Sequence, residues 1–207
     1  MATTELKKTV ENATHFAFDI YGQIAREEGN IVLSPYSITT AMAITYLAAK
    51  KETETEIAGT LHFPSEKEKM NKAFQALGEK VAKNNEEVKT LIANAVWINK
   101  SFSLSPEYKE LIREYYDASL LEVNFKSRLR SSRKTINKWV AKHTDNKITG
   151  LLKPEDIDPT VELIITNAVF FKGAWESPFD AEKTEKDIFY IDEKNTCQVD
   201  FMNSNQD

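Results

Sequence analysis

Groups able to do covalent chemistry are sparse in this chain. His15, His62, His143 and Cys197 are its three histidines and its single cysteine. No histidine lies at i, i+3 or i+4 from another histidine or from Cys197, so no local metal-ligand set is read, and no metal is expected. Cys197 could act as a thiol nucleophile only with a distant histidine and asparagine, and no family-specific flank surrounds it. No serine is tied to a base by a recognisable motif, so no catalytic residue is expected. The six glycines are scattered rather than gathered into a phosphate cradle, and no nucleotide or other cofactor is implied. More unusual is an amide in a dry place. In VELIITNAVFFKGAW, Val161 to Trp175, Asn167 interrupts an apolar run that reads as a fully covered strand. An unpaired buried amide costs about 1 to 3 kcal/mol, so Asn167 must be hydrogen bonded or used.

One basic run, KSRLRSSRK from Lys126 to Lys134, reads as a solvated lead-in to a helix, with polyanion binding as the alternative. It sits awkwardly, because positive charge at a helix N-terminus opposes the macrodipole. With 41% hydrophobic and 29% charged residues the chain has ordinary globular composition, and its formal net charge of -5 argues against a nucleic-acid partner. The start, MATTELKKTVENATHF, lacks an apolar secretory core, and no run approaches a membrane span, so no membrane partner is expected. The compartment stays open between cytoplasmic and exported with a leader removed. A lone cysteine allows no internal disulfide. The sequons Asn12-Ala13-Thr14 and Asn99-Lys100-Ser101 would matter only on a secretory route.

The elements that must position these residues are legible as periodicity. Leu6, Val10, Ala13, Ala17, Ile20 and Ile24 predict an amphipathic first helix closed at Gly29. After the apolar burst NIVL, Ser34 is the expected N-cap and Pro35 the first residue of a second, largely apolar helix. Capping boxes are read at Thr53 to Glu56 and at Ser65 to Glu68, opening two further helices. The later one carries Met70, Phe74, Leu77 and Val81 on its apolar face. VKTLIANAVWINK is short and apolar on both faces, which predicts a buried strand. Ser105-Pro106 repeats the helix start, SLLEVNF alternates like a strand, and a helix carrying Ile136, Trp139, Val140 and His143 runs on toward Gly150 and Pro154. The bland reading of His143 places it half-buried beside Trp139. DIFYID and CQVDFM, the latter within CQVDFMNSNQD, are the last strand candidates. No linker divides the chain, and the fold class is α+β in one unit, although so few strands make a sparse sheet.

Four blocks in order, NIVLSPYSITTAMA, LIANAVWINKSFSLSPEYKELIREYY, INKWVAKHTDNKITGLL and LIITNAVFFKGAWESPF, resemble the serpin family of serine protease inhibitors. Together with the first helix they cover nearly the whole chain. The resemblance implies a fold with a large central β-sheet on a chain about twice as long, so residues 1–207 are expected to be the N-terminal portion of a single serpin domain. LIANAVWI, SLLEVNF and LIITNAVFF would be three neighbouring strands of that sheet, with the helices found here as the first six of the fold. The remaining strands and the reactive loop are expected beyond this chain. By the same resemblance Ser34, Ser37, Asn94 and Asn167 match the shutter, where polar residues hold a rearrangeable hydrogen-bond network. Trp175 matches the breach, where loop insertion begins, and the helix around Trp139 matches the one crossing the sheet. Read alone, Ser34 is a plain N-cap and both tryptophans are core aromatics.

The function implied is inhibition of a serine, or alternatively a cysteine, protease by a suicide-substrate mechanism in the full-length protein. The protease cleaves the reactive loop, which inserts into the central sheet as a new strand and traps the acyl-enzyme. The alternative is a noninhibitory serpin acting as carrier, chaperone or storage protein. Without the loop the chain itself is expected to be inactive, and with the Asn167 strand at an open sheet edge it is expected to self-associate. The fourth helix mixes Lys67, Lys69, Lys72, Lys80 and Lys83 with Glu66, Glu68 and Glu79, unlike the basic face of heparin-activated family members.

Overall fold

A computed structural model describes residues 2–26, 29–85 and 87–203, so the last four residues of CQVDFMNSNQD lie outside it. Among the described residues the α-helices and strands run α1 (Ala2–Ile24), α2 (Pro35–Ala48), α3 (Lys51–Leu61), α4 (Lys67–Val81), β1 (Val88–Asn99), α5 (Pro106–Tyr116), β2 (Ser119–Val123), α6 (Leu129–His143), β3 (Leu163–Gly173), β4 (Glu185–Tyr190) and β5 (Thr196–Phe201).

The two Ser-Pro starts form as expected. Ser34 Oγ accepts the Ser37 N–H at 3.3 Å, and Ser105 Oγ accepts that of Tyr108 at 3.2 Å, each followed by proline in the first turn. Four local expectations are corrected. The first helix ends at Ile24, so Gly29, with φ of +107°, shapes the turn beyond rather than the cap. Neither predicted capping box forms. The third helix starts earlier, at Lys51, leaving Thr53 in its interior, and the fourth starts at Lys67 after an uncapped Glu66. There the charged side chains prefer ion pairs, Lys67 with Glu54 at 3.0 Å and Lys72 with Glu68 at 2.6 Å. The sixth helix stops well before Gly150. Thr144 Oγ1 returns to the Val140 carbonyl at 2.9 Å, and Asp145 and Asn146 take left-handed backbone without glycine. NIVL stays irregular, and Val32 is 96% exposed.

Strand order in the main sheet is β2-β1-β3. β1 and β2 are parallel with α5 as the crossover, and β1 and β3 are antiparallel. Because side chains alternate across a strand, β1 feeds two cores. Val96 and Ile98 join Ile44, Tyr46, Phe74, Ile112 and Tyr116 beneath the first five helices. Ala93, Ala95 and Trp97 join Phe125, Ile136 and Val140 beneath α6, with Leu121, Val123 and Phe125 on that side as expected. β3 is the outer strand, so the fully covered strand predicted around Asn167 is corrected to a half-buried one. β4 and β5 make a separate two-stranded antiparallel sheet, largely exposed.

Candidate functional site

The register of β1 against β3 sets Asn94 directly opposite Asn167, 73 residues later. Both lie on the face turned toward the first five helices, in the same alternation as Val96 and Ile165. Asn167 Nδ2 donates to Asn94 Oδ1 at 2.6 Å, and Asn94 Nδ2 donates to the Tyr116 carbonyl at 2.9 Å, where α5 ends. The Tyr116 hydroxyl continues to Asn71 Oδ1 on α4 at 2.7 Å. Burial raises the Tyr116 phenol far above its ordinary pKa and pushes Tyr108 up to about 12, so both stay neutral donors. One atom is left over: Asn167 Oδ1 is buried and has no hydrogen-bond partner among the described residues. An amide with one bonded end and one orphaned end costs free energy in this state and has a vacant acceptor for another donor.

Ser34 and Ser37 do not join that chain of amides. They bond to each other across the first turn of α2, which packs against β3. Trp175 lies just past the end of β3, 65% exposed and edge-on to Phe179 at 5.5 Å between ring centroids. The core-aromatic reading fails for Trp175 in this chain. It holds better for Trp139, half-buried on α6, edge-on to Trp97 at 5.7 Å and stacked on His143 at 3.9 Å. Trp97 Nε1 in turn donates to Thr166 Oγ1 on β3 at 3.0 Å, so α6 is keyed to both long strands.

A family model described as Serpin (serine protease inhibitor) matches residues 11–207. The chain belongs to the serpin family. Its relatives include an uncharacterized serpin-like protein of Methanosarcina acetivorans, 36% identical over 191 residues, spanning 90% of this chain and 45% of the relative. Leukocyte elastase inhibitor of Xenopus laevis is 34% identical over 192 residues, spanning 91% of this chain and 51% of the relative. Among solved structures, emu ovalbumin superposes with a TM-score of 0.89 at 26% identity, spanning 94% of this chain and 54% of that one. Arabidopsis AtSerpin1 in its native stressed conformation gives 0.83 at 26% identity, spanning 99% and 52%. The chain therefore spans about half the length of the serpins it matches, and its fold is that of the corresponding part of a serpin.

Other candidate chemistry resolves simply. His15 and His62 come to 5.8 Å between rings and His62 Nε2 lies 2.7 Å from Asp19 Oδ2, a proximity invisible in the sequence spacing. Even so, among the described residues no group of three or more His, Cys, Asp or Glu is placed to hold a metal ion. Cys197 stands exposed on β5. Among the described residues no helix is long and apolar enough to cross a membrane. The Asn99 sequon is closed in the folded chain. Asn99 is 1% exposed, and its Nδ2 donates to Ser101 Oγ at 3.1 Å and Glu162 Oε2 at 2.7 Å. Sequence reasoning missed this polar clasp, in which Lys126 Nζ also meets Glu162 at 2.8 Å.

Proposed function

We propose that the full-length protein inhibits a serine-type endopeptidase by suicide-substrate loop insertion, and that residues 1–207 form the N-terminal portion of its single serpin domain. The observation that carries this reading is the Asn94–Asn167 pair, a side-chain clasp between β1 and the outer strand β3 with one acceptor still vacant. Insertion of a strand needs a sheet that can exchange partners at its margin, and a polar clasp exchanges hydrogen bonds where an apolar contact would simply be broken. On this reading Asn94 and Asn167 are the strand amides of the shutter, and Ser34 and Ser37 set the helix end beneath them. Trp175 belongs to the breach, where its exposed ring awaits the rest of the domain. The partner is a target protease, met through a reactive loop outside this chain.

Incubation of the full-length protein with a panel of serine and cysteine proteases tests the proposal. A complex that survives denaturant, with a serine protease, is expected. Cleavage of the protein with no such complex would overturn it in favour of a noninhibitory carrier, chaperone or storage role. Residues 1–207 alone are expected to leave every protease fully active in the same assay.

A further inference from the structure

We propose that Asn99 accepts an N-linked glycan only while the chain is unfolded and that a glycan there prevents the fold, so that this protein reaches its native state only where no oligosaccharyltransferase meets its nascent chain. Asn99-Lys100-Ser101 is a complete acceptor sequon. A glycan on such a sequon is bulky and belongs on the surface. The acceptor is instead 1% exposed, at the end of β1 and on the α6 side of the sheet with Ala95 and Trp97.

The transfer chemistry sets the conflict. Asn99 Nδ2 would lose one proton and bond to the anomeric carbon of a lipid-linked oligosaccharide, and the lipid pyrophosphate would leave with the bonding pair. One of the two amide N–H groups is thereby replaced by a sugar. Both are in use in the fold, because Nδ2 donates to Ser101 Oγ at 3.1 Å and to Glu162 Oε2 at 2.7 Å. A glycosylated amide keeps one of these bonds at most and must seat a pyranose ring where a carboxylate or a hydroxyl stands at hydrogen-bond distance. Turning the amide over does not help. Oδ1 accepts the Phe125 N–H at 3.3 Å, so a flip sets amide donor against backbone donor and amide oxygen against the Glu162 carboxylate.

The backbone around the acceptor is fastened as well. The Asn99 N–H donates to the Glu162 carbonyl at 2.9 Å, that of Lys100 to the Val123 carbonyl at 2.9 Å, and that of Phe102 to the Asn99 carbonyl at 2.8 Å. Lys126 Nζ closes the outside, reaching Ser101 Oγ at 2.9 Å and Glu162 Oε1 at 2.8 Å. Val123, Phe125, Lys126 and Glu162 all follow the sequon in the chain, so it stays open during synthesis until β2 and the lead-in to β3 have been made. The acceptor is thus available first and closed later. Asn12, the other sequon asparagine, lies half-buried on α1 and is held by no such clasp among the described residues.

Cell-free translation of the full-length chain behind a secretory leader, with microsomes, is the test, with resistance to trypsin reporting the fold and mass spectrometry the glycan. The wild type is expected to carry a glycan at Asn99 and to yield at least about tenfold less resistant protein than the same chain translated without microsomes. A competing acceptor tripeptide, which occupies the transferase, should restore the resistant form, and so should Ser101→Ala, which removes the sequon. Thr14→Ala, which removes only the Asn12 sequon, should not. The tripeptide keeps the test decisive where Ser101→Ala itself folds poorly. Trypsin-resistant wild-type protein inside the microsomes, with Asn99 modified or bare, would overturn the proposal, as would failure of the tripeptide to restore it or full recovery in Thr14→Ala.

Discussion

Asn94 spends both ends of its amide, on Asn167 and on the Tyr116 carbonyl, whereas Asn167 spends one. Removing Asn94 therefore strands a part-buried donor on Asn167 beside an acceptor already orphaned. Removing Asn167 strands only Asn94 Oδ1 and abolishes the orphan. Asn94→Ala should lower unfolding free energy by about 2 kcal/mol, and Asn167→Ala by clearly less. Urea denaturation of the two variants checks the order, and equal losses would mean that the vacant acceptor is satisfied elsewhere. A second residue-scale effect concerns Glu162. Hydrogen bonds from Lys126 and Asn99 hold its carboxyl below the usual range. A depressed carboxylate contributes stability that is complete above its unfolded pKa and is lost as pH falls through the folded value. Denaturation midpoints should thus fall more steeply on acidification in the native chain than in Glu162→Gln. Parallel profiles would show that the clasp does not sense protonation.

At the scale of the element, α2 matters because the Ser34 hydroxyl caps its first turn while its body rests on β3. Ser34→Ala should cost about 1 kcal/mol, and Ser34→Asp, which keeps an N-cap acceptor, should recover most of it. Chemical denaturation measures the loss. If Ser34→Asp fails to restore stability, the hydroxyl does more than cap α2. α6 differs in kind. It is held by the buried Ile136 and Val140 in the core with Trp97 and Phe125, by Trp139 edge-on to Trp97, and by the Asn137 side chain, whose Nδ2 donates to the Leu152 carbonyl at 2.9 Å.

At the scale of the whole molecule, one margin of the main sheet is open among the described residues. Among the described residues β3 pairs on one side only, Phe171 near its end is 67% exposed, and Ile188, Phe189, Tyr190 and Ile191 are exposed in and just after β4. An unpaired strand with apolar neighbours is a template for another chain. Residues 1–207 should therefore self-associate with rising concentration, and Phe171→Lys should reduce it. Sedimentation velocity across a concentration series reads this directly, and a monomer throughout would refute it.

The order of elements, the two Ser-Pro helix starts and the amphipathic faces of α4 and α6 were all legible in the amino-acid sequence. Each depends on residues within a few positions of one another, where the repeat of the backbone makes spacing a reliable guide. Helix ends were less legible at Thr53, Ser65 and Gly150, because ion pairs and the Thr144 side chain competed with the local signals. The unusual amide at Asn167 could be seen, but not that it faces Asn94, that Asn94 reaches Tyr116, or that one oxygen stays unsatisfied. Nor could Asn99 be seen closing on Glu162. Those partners lie tens of residues apart, and only the register of β1 with β3 and the seating of α5 bring them within hydrogen-bond distance.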